Sequence, residues 1–348
     1  MRLYAYPAIP LHTEITLKHH RFRIEIEISL ALLPMMIAIA QAPAHAQPQA
    51  QPYPSRPIRL IVPSAPGGSP DISSRMFAQE IARQMGQQLV VDNRSGAGGV
   101  IGFEMVAKAP PDGYTLGYAT FALSTVPSLL STLRYDAMRD LQMVMHITST
   151  PNVMAVFPGL PVKSVEDLLA HARKNPGTLH FGSSGSGTSL HLAGALIMSM
   201  TGVNLVHVPY KGVDQAVVGT ISGESQIIIH NSAPMVPHVK AGRVRGLAVT
   251  TAKRIATLPD LPTVAEAGVP GYEIAPWGGI MAPKGIPKDI LARVNTEFNT
   301  ALKSKTVQDT YAAAGVLPMG GSPEQFTEFL RKETEKWGTL IKRLGLKG

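Results

Sequence analysis

An apolar run, Ile58–Val62, ends at Pro63, crosses a short Pro/Gly loop and leads directly into a helix start at Ser69-Pro70-Asp71. No other stretch constrains the fold as much. A buried strand, a glycine turn and a helix N-terminus in direct succession form the first half of a βαβ unit. Ser69 reads as the N-cap, Pro70 as the first helical residue and Asp71 as the acid of the first turn. The helix then runs to about Met85, with Ile72, Met76, Ile81 and Met85 near one face and Gly86 as its stop. Locally the loop admits two readings. One is a tight turn before a capped helix. The other is an anion site, because free backbone N–H groups and the positive end of the helix dipole converge there.

The same alternation continues along the chain. Strand candidates lie at 89–91, 115–118, 153–157, 179–182, 204–208, 225–230, 244–250 and 279–282, with helical segments between most of them. Ser164 with Asp167, and Thr263 with Glu266, carry the capping-box spacing. The tail is helical over 287–303, 307–314 and 323–344. Continuous apolar strands alternating with helices predict an α/β protein whose parallel sheets are covered by helices. There is no sequence repeat. A second Ser/Gly loop follows the strand candidate at 179–182, so two such sites predict two facing lobes with a ligand between them.

Residues 1–46 read as a cleavable export signal. Lys18, Arg21 and Arg23 precede the apolar run 28–40, and Ala44-His45-Ala46 supplies a small-x-small cleavage site. The run is too short to span a bilayer. The rest of the 348-residue chain has length for two domains, each with its own core. The net charge of +8 is spread without Lys/Arg runs, which favours anionic ligands and gives no support for nucleic acid. The absence of cysteine excludes disulfides and thiol catalysis, and fits a bacterial periplasm.

Three loops invite chemical readings. Residues 93–102 hold Gly96, Gly98, Gly99 and Gly102, but their spacing misses the dinucleotide fingerprint by one residue, with no acidic partner downstream. A glycine turn that lets backbone approach a ligand or helix accounts for them better. Residues 182–189 (GSSGSGTS) can cradle a carboxylate or phosphate. A serine-hydrolase reading would use Ser184 or Ser189 with His191, but the Gly-x-Ser-x-Gly register fails and a packed His191 is the plainer reading. Tyr210 and Lys211 can reach a cleft, and Asn231 or Ser232 can cap a helix or touch a ligand. The histidines lack metal-site spacing, and no cofactor is expected.

In order and number these motifs resemble the Bug-type solute-binding receptors of tripartite tricarboxylate transporters. The likeness runs through Tyr53-Pro54, Pro66-Gly67-Gly68-x-x-Asp71-x-x-x-Arg75, Asp112-Gly113-Tyr114, His191-Leu192-Ala193, the HVPYKG run at 207–212, LPDLPTVAEAG at 258–268 and Pro283-Lys284-Gly285. The resemblance implies a type II periplasmic-binding-protein fold, with two α/β lobes of mixed, mainly parallel sheets joined by crossover strands. The expected lobes are 55–150 plus 276–348, and 151–275. It implies a small carboxylate ligand (a dicarboxylate, tricarboxylate, amino or aromatic acid), membrane transporter subunits or a sensor kinase as partners, and a periplasmic monomer. Ligand contacts carried over by resemblance are Ala65, Pro66, Gly67, Gly68, Ser69 and Asp71, Gly98 and Gly99, and Ala119 and Thr120. In the second lobe they are Ser183, Ser184, Gly187, Thr188 and Ser189, with Tyr210, Lys211 and Gly212. The chain departs from the family pattern at Ser64, at Phe121-Ala122-Leu123 and at Gly223-Glu224-Ser225-Gln226.

Overall fold

Ile58–Val62 forms β1, and four of its five residues are buried, so the strand is covered on both faces. The structure, a computed structural model, describes residues 53–185, 188–210 and 213–346. The expected export signal lies outside the described residues, as do Gly187, Lys211 and Gly212. After β1 come α1 (Ser69–Met85), β2 (Leu89–Asn93), a 3-10 turn (Ala97–Gly99), α2 (Val100–Ala107), β3 (Thr115–Thr120), α3 (Ala122–Leu129), α4 (Ala137–Asp140) and β4 (Leu141–Ser149). The chain then builds a second sheet through β5 (Asn152–Val156), α5 (Val165–Lys174), β6 (His180–Ser183), α6 (Ser189–Thr201), β7 (Val206–Pro209), α7 (Val213–Ser222), β8 (Ile227–Asn231), α8 (Ser232–Lys240) and β9 (Arg245–Val249). It returns to the first sheet with β10 (Trp277–Pro283), α9 (Lys288–Leu302), α10 (Lys305–Ala314), β11 (Leu317–Pro318) and α11 (Pro323–Arg343).

The strand orders are β11-β4-β10-β3-β1-β2 and β7-β6-β8-β5-β9. In each sheet four strands share one direction, and the strand arriving from the other lobe is inserted antiparallel among them: β10 between β3 and β4, β5 between β8 and β9. The two lobes therefore repeat one topology, although no repeat is visible in the sequence. The expected pair of α/β lobes with mixed, mainly parallel sheets and crossover strands is what forms. The crossover segments, 150–151 and 250–276, lie side by side. Thr150 N–H donates to Pro276 O (2.7 Å), Thr250 N–H to Asn152 O (3.0 Å) and Ile274 N–H to Thr250 O (3.0 Å).

One core face holds α1 and α9, where Phe77 stacks on Phe298 at 5.5 Å, over Leu60, Leu116 and Ile280. On the other face Trp337 of α11 is fully buried, edge-on to Phe121 at 5.1 Å. Each such side chain contributes about 1.5–3 kcal/mol by leaving water.

Local expectations met three corrections. The N-cap of α1 is Gly68, with Ser69 already helical, because Gly68 takes the extended cap conformation (φ −73°, ψ 161°) with no side-chain cap. Gly86 does stop the helix, in the left-handed region at φ +68°. Thr263 and Glu266 make both reciprocal capping bonds (2.9 and 3.0 Å), yet they close a single turn rather than start a helix. Finally, β4 was not among the strand candidates. Its run LQMVMHITS is broken by Gln142, His146 and Thr148. His146 is nevertheless buried, because its Nε2–H donates to Thr148 O (3.0 Å) and its ring stacks on Phe329 at 4.4 Å.

Candidate functional site

The loop after β1 is held by a chain of side-chain bonds that starts in its own helix. The buried Asp71 carboxylate accepts from Gly67 N–H (2.9 Å) and from Arg75 Nε (3.1 Å). Arg75 donates onward to Asn93 Oδ1 (3.2 Å), and Asn93 Nδ2 donates back to Ser64 O (3.1 Å). The Arg75 hydrogen bond holds the Asp71 carboxyl below the usual range against the opposing effect of burial, and the Gly67 N–H adds to it. Asp71 therefore shapes the loop rather than standing free as a base. Ala65, Pro66 and Gly67 are exposed at the rim, Gly68 is half-buried and Ser69 is exposed. The turn at Gly98 and Gly99 packs beside this loop. A Cβ at Gly99 would stand 3.3 Å from Pro63 Cβ and 3.0 Å from Phe103, and the backbone there has φ +97°.

Behind the loop lies a cavity of about 240 Å³ where both lobes meet the crossovers. Ser69, Pro70 and Ser73 bring the first turn of α1 to it, and Tyr118, Thr120 and Phe121 the end of β3. Thr148 comes from β4, Thr150 and Pro276 from the crossovers, Trp277 and Gly278 from β10, and Asn231 from the end of β8 in the second lobe; Tyr311 and Val316 complete the lining. No lining residue is charged. Hydroxyls dominate the polar wall: Ser73 Oγ and Tyr311 OH are 2.6 Å apart, and the Tyr118 phenol is within reach of Ser73 and Thr148. Burial pushes both phenols up, so they stay protonated and can donate. Gly278 makes room for this arrangement, because any Cβ there would collide with the Tyr118 hydroxyl.

The second loop leaves β6 at the same end of its sheet from which Asn231 reaches the cavity, since β6 and β8 are parallel neighbours. Ser183 is buried; its Oγ lies 2.6 Å from His207 Nε2 and 3.1 Å from both the N and the O of Gly185. Ser184 is half-buried, Ser189 is the first residue of α6, and Thr188 caps that helix by accepting from His191 N–H. Tyr210 N–H donates to Ser183 O (2.8 Å), but its ring packs against Gly182 and Gly219 inside the second lobe. Burial, and then the neighbouring His207, push His191 down to about 4; burial alone lowers His207. Among the described residues no group of His, Cys, Asp or Glu could hold a metal.

Of the expected contacts, Ser69 and Thr120 line the cavity itself. Ala119 is buried within β3, and of the others none among the described residues lines the cavity: they lie in or beside the loops after β1, β2, β6 and β7, or outside the described residues. Sequence reasoning missed Ser73, Tyr118, Thr148, Gly278 and Tyr311. Position at a strand end was an available signal for Tyr118 alone, the last residue of the strand candidate at 115–118. Of the departures from the family pattern, Phe121 lines the cavity, whereas Ser225 and Gln226 are used internally, bonded to Thr220 and Gly223.

The profile described as tripartite tricarboxylate transporter family receptor matches residues 73–346. The chain belongs to that receptor family. Its relatives include Protein BugT of Bordetella pertussis strain Tohama I, 36% identical over 297 residues that cover 85% of this chain and 91% of BugT. The solved structure of R. palustris Rpa4515 with adipate is 38% identical, covers 85% of this chain and 99% of its own, and has a TM-score of 0.74. MatC from Rhodopseudomonas palustris with bound malate is 26% identical, covers 83% of this chain and all of its own (100%), with a TM-score of 0.71. The Bug-type resemblance read from the motifs is thereby borne out, and with it the two-lobed periplasmic-binding-protein fold. Receptors of this family bind solutes and are not enzymes. The alternative of an exported serine hydrolase is set aside, and Ser183 with His207 is a structural pair within such a receptor.

Proposed function

We propose that this receptor captures a small carboxylate in the periplasm by closing its lobes, and delivers it to the membrane subunits of a tripartite tricarboxylate transporter. The observation that carries the reading is the uncharged cavity between the lobes, where the N-terminus of α1 meets a wall of hydroxyls. A carboxylate there gains from the helix dipole and from charge-assisted bonds of about 1.5–3 kcal/mol each. Adipate and malate, bound by two relatives of the same fold, have the size and polarity for it. On this reading the loop after β1 supplies one wall of the closed cleft and the Ser/Gly loop after β6 the other; that both leave the carboxyl ends of parallel strands supports it.

The test is a thermal-shift screen of small carboxylic acids followed by calorimetry. A saturable shift with micromolar affinity for one acid, and loss of its uptake when the protein is deleted, supports the reading. No shift with any of the carboxylates removes it.

A further inference from the structure

Ser183 sits at the root of the Ser/Gly loop, and its hydroxyl is already occupied on three sides. Gly185 N–H and O are both 3.1 Å away and His207 Nε2 is 2.6 Å away. Gly185 O also accepts from Thr188 Oγ1 (2.8 Å), which ties the turn to the cap of α6. We propose that His207 is the positioning residue of this loop: its imidazole locks Ser183, and through Ser183 the turn that aims the loop at the cleft.

The geometry of His207 fits that task. Its ring is fixed by a stack, 5.0 Å from Phe181 and 4.0 Å from His191, with planes 28° and 15° apart. Phe181 belongs to β6, which Ser183 ends, and His191 to the first turn of α6. The imidazole thus touches both elements that flank the loop. Two residues beyond His207, β7 pairs with Ser183 across the sheet, and Tyr210 N–H then donates to Ser183 O (2.8 Å). The loop is gripped from β7 at a side chain and at a carbonyl. Burial pushes the His207 imidazole down, which favours its uncharged form beside an anion site.

The inference rests on the loop being a wall of the ligand cleft. The test uses the full exported chain with His207→Phe, which keeps a stacking ring but has no ring nitrogen, and His207→Gln, whose amide reaches Ser183. Backbone amide exchange is followed at Ser184 and Gly185, with α11 as internal reference, and affinity is measured by calorimetry with adipate and with malate. We expect His207→Phe to speed exchange at the turn about tenfold and weaken affinity about tenfold, with α11 unchanged. His207→Gln should return both to within about threefold of the parent chain. Unchanged turn exchange in His207→Phe overturns the inference. Faster exchange with unchanged affinity overturns it equally, because the loop would then play no part in binding. If neither acid binds the parent chain, the fault lies with the carboxylate reading, and the exchange arm still decides whether His207 holds the turn.

Discussion

Gly68 is the residue at which backbone recognition can be tested most cleanly. Its φ of −73° is open to any residue, and a Cβ would find its nearest neighbour, Ala65 O, at 3.4 Å. A larger side chain therefore fits the fold, yet on the proposed reading it would stand between the loop backbone and the ligand. Gly68→Val should leave the melting temperature within a few degrees and weaken carboxylate affinity at least about tenfold. Equal affinity by calorimetry would remove this loop from the site. Buried histidines make a second prediction. Burial pushes His146 and His230 down to about 4, against about 6.5 when unfolded. Between those values the unfolded chain binds more protons, so stability falls as pH drops from about 6.5 towards 4 and levels off below. His146→Phe should make the urea midpoint less dependent on pH across that window. An unchanged slope would show that His146 is not neutral in the fold.

Elements were legible where their residues agreed with the pattern of their strand or helix. β1 was read to the residue, because Ile58, Leu60, Ile61 and Val62 form an apolar stretch, broken only by Arg59, that Pro57 and Pro63 bound on both sides. β4 was not, because His146 and Thr148 look polar in sequence and are satisfied only in three dimensions, by each other and by the aromatic rings of α11. The cavity shows the same division. Its loops were visible as glycine and serine runs, whereas Ser73 and Tyr311 converge from a helix face and the tail with no local signal. β10 is the element on which this convergence depends. Gly278 gives space to the Tyr118 hydroxyl on one face, and Gly279 to Phe326 on the other, where a Cβ would also stand 2.7 Å from Met145 O. The two glycines therefore separate function from stability. Gly279→Ala should cost about 1–3 kcal/mol in urea unfolding through overpacking. Gly278→Ala should displace the phenol and reduce affinity more than stability, a difference that unfolding and calorimetry on the same samples would reveal.

At the scale of the molecule, the two lobes share one topology but not two separate interiors. From Tyr53 onward the chain packs as one compact unit, and one apolar cluster joins Phe121 and Trp337 of the first lobe to Phe181, Leu192 and Tyr272 of the second. The crossovers run through this shared core, bonded to one another at Thr150–Pro276, while Thr250–Ile274 closes the longer one on itself. The proposed closure would bend the chain at these bonded crossovers, and the cavity lies directly against them, lined by Thr150 and Pro276. On the proposed reading, a ligand placed there would touch both lobes and select the closed arrangement by its differential affinity. Two consequences follow for one experiment. Because the core is continuous, calorimetric unfolding should show one transition, with or without ligand. Because the ligand binds only the folded chain, a concentration one hundred times its Kd should add about 2.7 kcal/mol and move that transition upward by roughly 4 °C. Two resolved transitions, with the ligand shifting only one, would mean that the lobes unfold independently and that the cavity belongs to one of them.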